Sequence, residues 1–267
     1  MMRIIMPLIC ALSGSVLAQE ESALRAKLLR ATCRVDINPG TPHQSFGTGT
    51  FVQAPSSASQ LLMDNEVLVV SAGHVLSGIT IRGGVNVTLP VIDPKTGQAT
   101  KWGESLSARH IDFATEVEDV GLLAVVVPSK AQLDSLHFVP LAEKHEAQLT
   151  LNEEYIAIGC RDGKLPKAEV TKPLQYHNPH NELAAPVIHA GLLRRPGDSG
   201  GGLFCKKGRL VAVCSSCAEN TETPIGFGLR GFDITKPIQT HRGPDSVFYP
   251  GWLIHKLPVL REIHEKR

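Results

Sequence analysis

Residues 194–204 read Arg194-Arg195-Pro196-Gly197-Asp198-Ser199-Gly200-Gly201-Gly202-Leu203-Phe204. Asp, Ser and Gly all favour turns, so the segment alone describes a surface turn as readily as a serine nucleophile held in a glycine cradle. Its surroundings have to decide. Directly downstream, Gly202-Leu203-Phe204-Cys205 and Leu210-Val211-Ala212-Val213 read as short strands, and Lys206-Lys207-Gly208-Arg209 between them reads as a hairpin turn.

Short strands recur along the chain. Cys33-Arg34-Val35-Asp36-Ile37, Gly49-Thr50-Phe51-Val52, Ile79-Thr80-Ile81 and Val85-Asn86-Val87-Thr88 alternate, Glu66 to Val70 is rich in β-branched residues, and Val120 to Val127 is apolar throughout, as buried strands are. A second set comprises Tyr155 to Ile158, Ala168 to Thr171 and Pro186 to His189. Turn signals at Asn38-Pro39-Gly40, Ala54-Pro55-Ser56-Ser57, Arg82-Gly83-Gly84 and Asp93-Pro94 separate them. Helical character is confined to Ser22–Ala31, with Leu24, Leu28 and Leu29 on one side, and to Leu253–Glu265, which Pro258 breaks. This predicts an all-β chain of antiparallel barrels or sandwiches with a short N-terminal helix and a C-terminal helix. The first β unit covers about residues 31–130 and the second about 147–235, with a link from Pro128 to about Glu146 and a helical tail to 267. Residues 233–252 take no assignment.

Composition narrows the function classes. The chain has 267 residues, 42% of them hydrophobic, and a formal net charge of +1, so nothing electrostatic calls for nucleic acid or an anionic membrane as partner. Residues 1–18 stand apart. Arg3, the apolar run Ile4 to Leu12 and the small-residue ending Val16-Leu17-Ala18 form a secretory signal cleaved before Gln19. The run falls well short of the ~20 residues that span a bilayer, so no stable membrane insertion is expected. The expectation is a secreted or periplasmic protein whose domain is residues 19–267.

Export permits disulfides, and removal of Cys10 leaves Cys33, Cys160, Cys205, Cys214 and Cys217, an odd number. Cys214-Ser215-Ser216-Cys217 has C-x-x-C spacing, but no second pair completes a zinc site and no helix opens after it. No metal or organic cofactor is expected.

A serine hydroxyl needs a general base to act as nucleophile, usually a histidine oriented by a carboxylate. His74 lies in Val69-Val70-Ser71-Ala72-Gly73-His74-Val75, where an apolar strand gives way to small residues. Asp119 lies in Glu118-Asp119-Val120-Gly121-Leu122-Leu123, immediately before a buried strand, where a carboxylate is half shielded and able to accept an imidazole N–H. By position alone Asp112 and Glu118 rival it.

Together these three segments resemble the chymotrypsin-like (trypsin-fold) serine peptidases. Ser71-Ala72-Gly73-His74 is similar to the family's T-A-A-H segment, Glu118-Asp119-Val120-Gly121-Leu122-Leu123 to its D-I-A-L-L segment, and Gly197-Asp198-Ser199-Gly200-Gly201 to its nucleophile segment, in the family's order. Phe46-Gly47-Thr48-Gly49-Thr50-Phe51 is similar to the G-[ST]-G segment of bacterial members. The resemblance, running from about Cys33 to Phe232, implies two six-stranded antiparallel barrels with the site in the cleft between them. It implies a secreted serine endopeptidase acting on protein or peptide through an acyl-enzyme: Ser199 the nucleophile, His74 the general base, Asp119 its orienter, and the Gly197 and Ser199 N–H groups the oxyanion hole. For the substrate pocket it implies Leu193 at the floor and Val213, Cys214 and Ser215 along one wall, hence an apolar residue before the cut.

The pattern departs from the family in places. There is no I-V-G-G-like start to pair with Asp198, so Asp198 is expected to pair internally, with Arg194 or Arg195. Most familiar disulfides are missing, and Cys160–Cys205 is the one bridge the family pattern leaves open. Two other functions compete. A catalytically silent member would serve as a binding module, although no triad residue is missing. Gly197-Asp198-Ser199-Gly200-Gly201 also fits the G-x-S-x-G elbow of esterases, with Asp233 or Asp245 and His255 downstream, but that fold alternates strands with helices.

Overall fold

The computed structural model of the protein describes residues 19–80, 83–114, 119–142, 153–177, 187–190, 196–217 and 246–250. The expected signal segment, Leu193, Arg194, Arg195 and the expected C-terminal helix lie outside the described residues.

Helix α1 covers residues 19–30, and the apolar side expected of it packs inward, with Leu28 and Leu29 buried and Leu24 against them. The one-turn helices α2 (Ser56–Ser59) and α3 (Gly73–Ser77) follow β2 and β3, and six strands build the first unit: β1 (Thr32–Ile37), β2 (Ser45–Val52), β3 (Glu66–Ser71), β4 (Val85–Ile92), β5 (Ala99–Ala114) and β6 (Val120–Val126). They close into an antiparallel barrel in the order β1-β2-β3-β6-β5-β4. Val35, Ile37, Phe51, Val69, Leu123 and Val125 form its interior. The opposite faces of β3 and β6 are buried too: Leu68, Val70, Val120 and Leu122 pack with Ile156, Ile158, Phe204 and Val213 of the second β unit. Burial on both sides is why these two strands read as unbroken apolar runs.

The second unit is a seven-stranded antiparallel sheet of β7 (Tyr155–Gly159), β8 (Lys167–Thr171), β9 (Pro173–His177), β10 (Val187–Ala190), β11 (Gly202–Phe204), β12 (Leu210–Cys217) and β13 (Ser246–Pro250), in the order β8-β7-β11-β12-β13-β10-β9. Strand β13 carries this unit past residue 235, where the sequence had suggested its end, because it fills the place between β12 and β10. Among the described residues this sheet has seven strands where the resemblance implied six, and together with the closed first barrel it fits the expected two-barrel fold. The link holds helix α4 (Lys130–Ser135), capped by the Ser129 hydroxyl, and then laces the units together: Val139 bridges to Val52 and Leu141 to Leu210.

Three local expectations change. Residues 79–80 are loop rather than strand, because the Thr80 N–H and hydroxyl both donate to Asn38 Oδ1. His74 sits in the first turn of a one-turn helix, α3 (Gly73–Ser77), rather than at a strand end. Cys160 and Cys205 form no disulfide, so there is no Cys160–Cys205 bridge.

Candidate active site

The site lies where β3, β6, β12 and the 196–201 loop meet. In α3 the buried Val75 and Leu76 anchor the helix to the barrel, which leaves the His74 imidazole 41% exposed. Asp119, placed at the start of β6, is buried and grips His74 twice. Its Oδ1 accepts from the His74 backbone N–H and its Oδ2 faces Nδ1, both at 2.7 Å. The Ser215 hydroxyl donates to the same Oδ2. Three groups thus converge on this buried carboxylate and fix its orientation. Its contact with Nδ1 assigns the proton of the neutral ring to that nitrogen, leaving Nε2 as the acceptor. Asp112 turns one oxygen to the Phe113 N–H, and Glu118 lies outside the described residues.

Loop 196–201 presents the other half. The Ser199 hydroxyl donates to the Ser215 carbonyl at 3.1 Å, and among the described residues it makes no hydrogen bond to His74. Four consecutive carbonyls of the loop are occupied. Pro196 O accepts from Asp162 N at 2.7 Å, Gly197 O from the Thr48 hydroxyl at 2.7 Å, Asp198 O from Gly201 N at 2.8 Å and Ser199 O from Thr48 N at 2.7 Å. Gly200 N and Gly201 O bond the two sides of Cys214, each at 2.7 Å. Among the described residues, the N–H groups of Gly197 and Ser199 have no acceptor. Gly197 is buried, and a buried N–H without a partner is rare enough in native proteins to need an explanation.

Two glycines make this loop feasible. Gly197 has φ +88°, and a Cβ there would lie 2.5 Å from the Phe46 ring and 2.7 Å from Cys160 O. Gly200 has φ +86°, and its Cβ would lie 1.9 Å from Thr48 O. Side chains are excluded at both positions by conformation and by space.

Asp198 is almost wholly buried and meets Arg161 Nε at 3.5 Å; the same guanidinium reaches Glu169 at 3.4 Å. Among the described residues the internal partner is therefore Arg161, with Arg194 and Arg195 outside them. Arg161 belongs to a turn at residues 161–163 that Trp102 also holds, its Nε1 donating to Gly163 O at 3.1 Å. Sequence reasoning missed Arg161, Asp162 and Thr48, although a charged loop directly after the apolar β7 was a usable signal. Of the expected pocket residues, Leu193 lies outside the described residues. The Val213 and Cys214 side chains are buried, and the Ser215 hydroxyl serves Asp119, so any wall this stretch offers a substrate is made by its backbone.

Burial pushes the thiols of Cys33 and Cys160 up, that of Cys160 to about 12, so both stay protonated. Among the described residues no three His, Cys, Asp or Glu side chains gather as a metal site requires, and no helix is long and apolar enough to cross a membrane.

Residues 47–213, more than half of the chain, match the trypsin-like peptidase domain. The chain belongs to that family. This trypsin-like peptidase domain resembles Rv3671c from M. tuberculosis H37Rv, an inactive serine-to-alanine mutant, with a TM-score of 0.57 and 14% identity over 94% of each chain. It resembles the active form of the Rv3671c protease with a TM-score of 0.56 and 15% identity, over 89% of this chain and 83% of that one. Against AlgW, an HtrA-type protease with a tripeptide, the TM-score is 0.57 at 15% identity, over 87% of this chain and 60% of the other. At such identities the likeness establishes a shared fold. That fold excludes the α/β-hydrolase architecture which an esterase elbow requires, since every strand pairing within the named sheets is antiparallel. No curated protein matches the chain in sequence.

Proposed function

We propose that the protein is an exported serine endopeptidase. The reading is carried by one observation: carbonyls 196–199 are all occupied, while the N–H groups of Gly197 and Ser199, beside a serine hydroxyl, are left without acceptors among the described residues. A loop so bonded is prepared for an oxygen anion that forms only during reaction.

In this reading the Ser199 hydroxyl turns about χ1 from the Ser215 carbonyl to His74 Nε2. Oγ attacks the scissile carbonyl carbon as its proton passes to Nε2, and the carbonyl oxygen becomes an oxyanion that accepts from the Gly197 and Ser199 N–H groups. The C–N bond then breaks, and the leaving amine takes the proton from His74. Water attacks the resulting ester, again giving a proton to Nε2, and returning that proton to Ser199 frees the carboxylic acid product. Asp119 keeps Nδ1 protonated and stabilises the imidazolium. Each N–H of the hole is worth roughly 3–4 kcal/mol in comparable sites. Leu193 supports preference for an apolar residue before the cut, and residues 1–18 support export, which N-terminal sequencing would test by finding Gln19 first.

The test is digestion of a diverse peptide library by protein lacking residues 1–18, beside S199A, read by mass spectrometry. Internal cuts that vanish in S199A are expected, clustered after apolar residues. An intact library with folded wild-type protein would overturn the reading in favour of a silent binding module.

A further inference from the structure

We infer that Thr48 is the positioning residue of the oxyanion loop. The inference rests on the peptidase reading above. Thr48 lies in β2, in the other β unit from Ser199, and is fully buried, so it acts through the loop rather than on substrate. It holds both residues whose N–H groups await the oxyanion: its hydroxyl donates to Gly197 O and its N–H to Ser199 O, each at 2.7 Å.

The hydroxyl proton has a defined acceptor in Gly197 O. Cys160 N donates to Thr48 Oγ1 at 2.8 Å, which occupies a lone pair and leaves the hydroxyl proton for Gly197 O. Thr48 is itself fixed, because the Ser71 hydroxyl donates to its carbonyl at 2.7 Å and Gly200 packs against the same oxygen. Gly197 therefore sits between two immobilised peptide units, Pro196 O held by Asp162 N and Gly197 O held by Thr48. The Gly197 N–H belongs to the first of these units, and the Ser199 N–H belongs to the Asp198–Ser199 unit, which lies between the two units that Thr48 holds through Gly197 O and Ser199 O. Glycine imposes no such restraint by itself, since it enters several backbone wells at similar cost. Without the hydroxyl, Gly197 O and Cys160 N would both be buried and unpaired, and rotation of the Gly197–Asp198 peptide would become the cheapest relief.

The experiment compares wild type, T48V (same shape, no hydroxyl) and T48S (hydroxyl kept), with thermal unfolding to confirm that each is folded. On a peptide taken from the library cuts, T48V is expected to lower kcat about 10- to 100-fold, below the cost of deleting a whole oxyanion donor, with KM within about twofold. Its affinity for a peptide aldehyde, which forms a tetrahedral adduct, should fall by a similar factor, and T48S should restore both. Wild-type kcat in T48V, a rise in KM alone, or a loss that T48S does not repair would each overturn the inference. A second readout is independent of turnover. The backbone amide resonances of Gly197 and Ser199 should shift in T48V and stay in place in T48S; unmoved resonances in T48V would overturn the inference. Absence of turnover in wild type would sink the peptidase reading, while these resonances would still decide the role of Thr48.

Discussion

His74 and Asp119 are positioned by the barrel that carries them, whereas Gly197 and Ser199 are positioned largely by groups from elsewhere. The histidine is anchored by buried neighbours on α3 and bonded twice to a carboxylate at the head of β6, to which Ser215 of the second unit also donates. The loop has little side-chain substance of its own. The carbonyls of Pro196, Gly197 and Ser199 are held by Asp162 from the β7 turn and Thr48 from the first barrel, and Gly200 N and Gly201 O by Cys214 of β12. A side-chain constellation is robust because packing and charge hold it together. A glycine loop is only as well defined as the hydrogen bonds brought to it, so the two halves should fail differently when perturbed.

The largest effects belong to the half that performs proton and acyl transfer. D119N should lower kcat about 10⁴-fold, through the wrong imidazole tautomer, with little change in thermal stability. Kinetics beside a melting curve checks it, and an activity loss explained by unfolding would erase the contrast drawn above. G200A attacks the other half and should act through stability. Its methyl would meet Thr48 O in a left-handed backbone, costing about 2–4 kcal/mol in denaturant unfolding. A neutral G200A would show that the loop is less tightly held than its contacts imply.

A control far from the site sharpens the comparison. Arg109, bonded to Glu66 at 2.8 and 2.6 Å, holds that carboxyl below its ordinary range, and Met63 N adds to the effect against burial. Because the folded value is the depressed one, the stability it contributes is full above the usual value of 4.5 and is lost as pH falls through the folded value. E66Q should flatten the acid limb of stability against pH and cost about 1.5–3 kcal/mol at neutral pH, with unchanged KM. The smallest effect is chemical. In native protein the buried thiols of Cys33 and Cys160 should resist iodoacetamide while the partly exposed Cys205 reacts, as peptide mapping would show.

The same contrast governs what the sequence makes legible. His74, Asp119 and Ser199 could be found because residue type, order and neighbouring apolar runs identify side chains that do chemistry. Strands β1, β3, β6, β7 and β12 were visible for a related reason, since their burial is written in alternating or continuous apolar residues. Strand β5 was not: of its described side chains only Leu106 is buried, and main-chain ladders to β4 and β6 hold it in place. Strand β13 is five residues long and distant in sequence from both partners. Thr48, Arg161 and Asp162 act through contacts to main-chain atoms or across separations as long as 149 residues, which no local pattern records. The Cys160–Cys205 bridge is absent because Cys160 and Cys205 each follow one of two antiparallel strands whose register sets Gly202 opposite Ile158 and Phe204 opposite Ile156, which leaves them at opposite ends of the pairing.

The most direct measurement is to treat folded protein with a fluorophosphonate and map the adduct by tandem mass spectrometry, because that reagent needs an activated serine and a working oxyanion hole. The account predicts a single adduct on Ser199, absent in S199A and greatly slowed in D119N. No adduct on folded wild-type protein, or one formed on another serine at an undiminished rate in S199A, would contradict it.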